Sequence, residues 1–124
     1  MINDYEEVYK TALNYIEGWY EGNQERMTKA LHPNMIKRCI KENDINELNY
    51  KTMMKFTENG GGKNVPKDTY TIEVLVLEVN NDIATVVVKS QYIDYLHVAK
   101  INGKWMIINV LWDFNKAYYQ NSKM

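Results

Sequence analysis

The sequence predicts an α+β fold: a curved antiparallel sheet wraps a long first helix, and two further short helices accompany it. Three observations predict it. Apolar residues in the first 21 positions recur every three or four residues, which is helical spacing. From Thr69 onward the chain is dominated by β-branched and aromatic residues in long runs. Asn102-Gly103 separates two of those runs and is the strongest short hairpin signal.

Each element follows in order. Asp4 can cap a first helix running to about Glu21, with an apolar stripe of Tyr5, Val8, Tyr9, Ala12, Ile16, Trp19 and Tyr20. Tyr15 lies beside that stripe, one turn before Trp19. Gly22 ends the helix and Asn23 can cap the next, Gln24 to Leu31, which turns Met27, Ala30 and Leu31 inward. Pro33 stops further helix at His32, because the residue before a proline avoids helical backbone. Ile36 to Ile40 reads as a strand, Asn43-Asp44 as a turn and Ile45 to Leu48 as a return strand. Asn49 caps a third helix, Tyr50 to Asn59, with Met53, Met54 and Phe56 apolar. Gly60-Gly61-Gly62 terminates it and reads as a flexible linker. It is no phosphate-binding loop, since no helix opens after it and no Lys-Ser/Thr follows. Four strands complete the chain: Thr69–Val79, Ile83–Ile93, Asp94–Ile101 and Lys104–Asp113. The tail from Phe114 is polar apart from Tyr118 and Tyr119 and is expected to fray.

Composition narrows the function classes. A chain of 124 residues, 45% hydrophobic and 25% charged, is expected to form one globular domain over residues 1–124. A net charge of −1 leaves no electrostatic footprint for nucleic acid or an anionic membrane. The acidic start Met-Ile-Asn-Asp-Tyr-Glu-Glu is unlike a signal peptide, and no run has transmembrane length. Cys39 is the only cysteine, so no intrachain disulfide forms; a cytoplasmic protein is expected. His32 and His97 lie on different elements, so no metal site is expected, and no cofactor. The 10 tyrosines suit a half-polar cavity or an interface, although for any one of them an amphipathic surface position is the more ordinary reading.

The hairpin predicts which residues share a face. If Asn102-Gly103 is a two-residue turn, Ile101 opposes Lys104 and the pairing continues outward from there. One face then carries Tyr92, Asp94, Leu96, Val98 and Lys100 with Trp105, Ile107, Asn109, Leu111 and Asp113. The other carries Ile93, Tyr95, His97, Ala99, Met106, Ile108, Val110 and Trp112. Both are largely apolar, and one helical layer covers one face only. A second copy of the chain is therefore expected on the outer face, through Tyr95, His97, Met106, Ile108 and Val110. Asp94 and Asn109 would be near neighbours on the inner face, among apolar groups. A carboxylate there is either paired, functional or solvated at a strand end. His32 is either a helix C-terminal cap or a polar group at the lip of a pocket.

Tyr15-Ile-Glu-Gly-Trp-Tyr-Glu-Gly-Asn23, Tyr92-Ile-Asp-Tyr-Leu96 and the Asn102-Gly103-Lys-Trp to Ile-Ile-Asn109 ending resemble the nuclear transport factor 2-like superfamily. That superfamily includes the SnoaL-like and ketosteroid isomerase-like cones of cystatin-like α+β architecture. The ending looks most like its lumazine-binding-like branch. The resemblance implies a cone with a pocket at its open end, homodimers through the outer sheet face, and either binding or isomerase, dehydratase or cyclase chemistry. In the ketosteroid isomerase branch a Tyr followed after six residues by Gly-Asp supplies an oxyanion donor, and Tyr15 with Gly22-Asn23 matches that spacing. The branch's second donor is an Asp on a late strand, and Asp94 is similar. Its general base is a carboxylate on the first strand; here Met35-Ile-Lys-Arg-Cys-Ile40 has none, and the place falls near Cys39. Lys37 and Arg38 precede Cys39, but strand alternation sends Arg38 to the other face.

The expected ligand site comprises Tyr15, Trp19, Met27, His32, Met53, Tyr92, Asp94 and Asn109. It implies a binding protein for a small, flat aromatic or hydrophobic molecule. The alternative is an isomerase, dehydratase or cyclase using Asp94 or His32 as acid or base with Tyr15. No residue is assigned a catalytic role, and no turnover of a ketosteroid is expected without a carboxylate base on the first strand.

Overall fold

The computed structural model describes residues 3–122. Helix α1 spans Asp4–Glu21. Its cap is Asn3, one residue earlier than expected, whose side-chain oxygen accepts the Glu6 N–H at 2.9 Å. Asp4 is thereby free for a tertiary role: it accepts from Trp105 Nε1 and Lys100 Nζ, each at 3.0 Å. Val8, Ala12, Tyr15, Ile16 and Tyr20 of α1 are buried, whereas Tyr5 and Tyr9, expected on the same stripe, are exposed. Gly22 closes α1 with φ of 66°, a left-handed conformation that costs glycine nothing. Asn23 then caps α2, Gln24–Ala30, accepting the Arg26 N–H at 3.1 Å.

Leu31 was expected to finish α2 but opens β1, Leu31–Lys41, and pairs with Ile107. The strand is longer than its apolar core suggested. Its ladder slips between Leu31 and Ile36, the stretch where Pro33 lacks an N–H to donate. Strand β2, Asp44–Asn49, returns after a tight turn at Glu42-Asn43, both with positive φ. Asn49 caps α3, Tyr50–Glu58, as expected, accepting the Thr52 N–H at 3.0 Å. Lys67–Thr69 forms a 3₁₀ turn, so β3 begins only at Glu73 and ends at Asn80. Strand β4 covers Ile83–Lys89, β5 Tyr92–Ile101 and β6 Lys104–Phe114. The boundary between β4 and β5 thus falls at Ser90-Gln91, earlier than Ile93. The tail, expected to fray, folds back as α4, Lys116–Ser122. Phe114 packs edge-on against both Trp112 and Tyr119, and that aromatic contact draws the segment in.

The strands form one curved sheet in the order β2-β1-β6-β5-β4-β3. Four pairings are antiparallel; β1 and β6 run parallel. Helix α1 lies across the inner face, over Val86, Val88, Leu96, Val98, Ile107 and Val110, all fully buried. Burying each such side chain stabilises the fold by about 1.5–3 kcal/mol.

The hairpin register holds from Ile101–Lys104 to Val98–Ile107 and then shifts by one: His97 opposes Asn109 and Asp94 opposes Trp112. A β-bulge at Ile108 accounts for the shift. Beyond it every side chain of β6 changes face. Val110 and Trp112, expected outside, turn inward; Asn109, Leu111 and Asp113, expected inside, turn outward. Asn109 accordingly accepts from Arg38 Nη1 at 3.0 Å and contacts His97 Nδ1 at 3.2 Å on the outer face.

Gly60-Gly61-Gly62 is no open linker. A Cβ on Gly61 would lie 2.5 Å from the Trp19 ring, and one on Gly62 would run into the Trp19 carbonyl oxygen. Gly61 and Gly62 lack side chains because Trp19 of α1 occupies their space, whereas Gly60 takes a positive φ of 76°.

Candidate functional site

Three chemically distinct side chains from three elements meet inside the cone. Tyr15 comes from the inner face of α1, Asp94 from β5 and Lys37 from β1. The Tyr15 hydroxyl donates to Asp94 Oδ1 at 2.9 Å and accepts from Lys37 Nζ at 2.7 Å. Tyr15 and Asp94 are each 1% exposed. Asp94 Oδ2 is buried with no hydrogen-bond partner among the described residues. The alternation that buries Met35 points Lys37 inward two residues later. Its ammonium lies over the rings of Tyr15, Trp112 and Trp19, at 5.1, 5.4 and 5.7 Å from their centroids.

Burial dominates the electrostatics. It raises the Asp94 carboxyl above its ordinary range, against the opposing charge of Lys37 and the bond from Tyr15. It holds the Lys37 ammonium below its ordinary value, with Asp94 pulling the other way. The Tyr15 phenol is pushed well up, by burial first and by Asp94 next. Burial thus shifts both groups toward their neutral forms, and the attraction between them opposes that shift.

Beside this chain of groups lies a cavity of about 220 Å³. Trp19, Phe56, Tyr92 and Trp112 form its aromatic wall, and Ile16, Leu48 and Met53 add aliphatic surface. Tyr15, Lys37 and Asn46 are its polar members. Trp19 Nε1 donates to the Tyr92 hydroxyl at 3.4 Å, and Tyr92 meets Trp112 edge-on at 5.6 Å. The aromatic wall is thus held by its own contacts.

Of the residues read from the sequence, Tyr15, Trp19, Met53 and Tyr92 line this cavity, and Asp94 lies one layer behind Tyr15. Three do not belong to it. Met27 is buried in the core. His32 stands on β1 beside Pro33, where its Nδ1 accepts the Asn34 N–H at 3.0 Å, and it does not line the cavity. The helix it was expected to cap or leave ends earlier, at Ala30. Asn109 is on the outer face because of the bulge. Lys37, Asn46, Phe56 and Trp112, with the aliphatic Ile16 and Leu48, were missed. Lys37 was legible, since it is in phase with apolar Met35; Trp112 was hidden by the register shift. Among the described residues no group of three or more His, Cys, Asp or Glu is placed to hold a metal ion, and no helix is long and apolar enough to cross a membrane.

The architecture is that of the nuclear transport factor 2-like, cystatin-like cone. The chain belongs, over residues 3–113, to the family described as "Putative lumazine-binding". No curated protein matches its sequence. Among solved structures it is similar to a nuclear transport factor 2-like protein of unknown function from Methylobacillus flagellatus, with a TM-score of 0.74 and 16% identity, covering 93% of this chain and 94% of that one. A "putative ketosteroid isomerase" from Shewanella frigidimarina is similar at a TM-score of 0.63 and 15% identity, covering 86% of this chain and 94% of that one. A CaMKII hub from S. rosetta follows at 0.65 and 12%, covering 93% and 99%. At these identities the likeness is one of fold.

Proposed function

We propose that this protein binds a small, flat aromatic molecule in the cavity between α1, α3 and the inner face of the sheet. The observation that carries the reading is a cleft with four aromatic walls and a buried, hydrogen-bonded polar floor. Such a combination of apolar enclosure and few placed polar groups is what orients a small ligand. Size supports the reading: a dry cavity of roughly 150 Å³ holds benzene, so one of about 220 Å³ suits a ring system somewhat larger. The family's description points the same way. A bicyclic heteroaromatic such as lumazine, titrated into the protein, should quench tryptophan fluorescence saturably through Trp19 and Trp112. Trp112→Ala should weaken binding at least tenfold. Absence of saturable binding up to about 1 mM, the weak end of specific recognition, would overturn the reading.

The isomerase-type alternative receives less support. The backbone of β1 carries no Asp or Glu, His32 is away from the cavity, and Asp94 reaches it only through Tyr15. We propose further that two copies associate through the outer sheet face. Tyr95, Ile108 and Leu111 are large apolar residues left exposed there, with His97 and Met106 beside them. Val110 has no part in that surface, since it is fully buried. The protein is expected to act in the cytoplasm, on the grounds of its composition.

A further inference from the structure

Among the described residues Lys37 is the one formally charged residue that lines the cavity. An ammonium has three protons to donate and no acceptor of its own. One proton goes to the Tyr15 hydroxyl, whose own proton goes to Asp94. Among the described residues no carboxylate pairs directly with Lys37, so Asp94 stands one hydrogen bond further back. The remaining donor capacity faces rings: Tyr15, Trp19 and Trp112 offer π-faces but no lone pair on an oxygen at bonding distance. An acceptor for Lys37 must therefore come from whatever fills the cavity.

The sign of charge on that acceptor follows from the surroundings. In a largely apolar cleft whose lining is half-buried, an ion pair is stronger than in open water, because less solvent screens it. A charge-assisted hydrogen bond from Lys37 is roughly twice as strong as a neutral one. A cationic ligand would meet the ammonium at close range, while the compensating carboxylate of Asp94 lies behind Tyr15. Resting on the binding role proposed above, we propose that the ligand is an aromatic anion. It is a flat ring bearing an ionised oxygen, as in a carboxylate, phenolate or enolate, which accepts from Lys37 while the ring lies against Trp19, Tyr92 and Trp112.

Three near-isosteric probes separate this from simple ring binding: naphthoate, naphthamide and naphthylmethylammonium, each titrated calorimetrically into the full chain at neutral pH. Naphthoate is expected to bind about tenfold or more tightly than naphthamide, on the strength of the charge-assisted bond, and the cation weakest. Lys37→Arg should keep that order, and Lys37→Met should erase the preference for naphthoate while leaving naphthamide bound. Equal affinity for acid and amide in the native chain, a preference for the cation, or a preference for naphthoate that survives Lys37→Met would overturn the proposal while leaving ring binding intact. Failure of all three probes to bind would overturn both. The ranking in the native chain decides the matter even if Lys37→Met does not fold.

Discussion

Tyr15 is the residue on which the site depends. It is donor to buried Asp94 and acceptor for half-buried Lys37, so a single hydroxyl reconciles the two. Tyr15→Phe keeps the ring and its packing but leaves both neighbours without that partner. The expected cost is about 1–3 kcal/mol, the penalty for buried polar groups left unsatisfied, read as a lowered urea midpoint. The same variant should raise the Asp94 pKa further, because the lost bond favoured the carboxylate; carboxyl carbon NMR would register it. A companion prediction concerns pH. Burial raises Asp94 in the folded chain above its unfolded value of about 3.9. A raised carboxyl contributes stability that is fully present below the unfolded value and is lost as pH climbs through the folded one. Asp94→Asn cannot ionise, so its stability relative to the native chain should improve as pH rises from acid toward neutral. Lys37, being lowered, contributes above its unfolded value near 10.4 and loses that contribution as pH falls through its folded value. Its window begins on the alkaline side, which leaves the acid-side slope to Asp94. A constant difference between the two chains across the acid range would contradict the burial of this carboxyl.

At the scale of elements, two tryptophans differ in what they hold. Trp105 is 4% exposed and bonds Asp4 across the start of α1. Trp105→Ala should cost about 3–5 kcal/mol, the range for large aromatic truncations in a core. Trp19 was expected to be equally buried but is only half-buried, because one side of it faces the cavity. Trp19→Ala should therefore cost clearly less, and denaturant midpoints of the two variants should separate them. The glycine run makes a sharper test. Gly62→Ala places a methyl group against the Trp19 carbonyl, which is backbone and cannot swing aside. Overpacking of this kind costs about 1–3 kcal/mol. A neutral effect on the melting temperature would show that the segment moves freely away from α1.

For the molecule as a whole, the unresolved balance is between a sheet with two apolar faces and helices that cover one. Tyr95 and Leu111 face each other across β5 and β6 on the uncovered side, 53% and 44% exposed. If two copies pack there, Tyr95→Lys with Leu111→Glu should convert a dimer to a folded monomer by light scattering, with the circular dichroism spectrum unchanged. A native chain that is already monomeric at micromolar concentration would remove the proposal. The outer face is also where the bulge acts: by sending Leu111 out and Trp112 in, one extra residue at Ile108 shapes the exposed surface and the cavity wall together.

Local chemistry in the chain determined the order of the first three helices and the six strands, two of the three helix caps read from it, the Asn102-Gly103 hairpin and the buried strand faces as far as Val98. These depend on neighbours within a few residues, where propensity, capping and alternation operate. Tyr15, Trp19, Met53, Tyr92 and Asp94 were legible because each is in phase with an apolar pattern on its own element. The tertiary structure alone decided the rest. A bulge has no compositional mark in Ile107-Ile108-Asn109, yet it reverses every face beyond it, removing Asn109 from the site and supplying Trp112. The parallel pairing of β1 with β6 joins segments about seventy residues apart in the chain, and only that pairing carries Lys37 to Tyr15 and Asp94. Alternation could place Lys37 on the inner face of its strand; which groups it would meet there is a property of packing, because no local rule couples residues so distant in sequence.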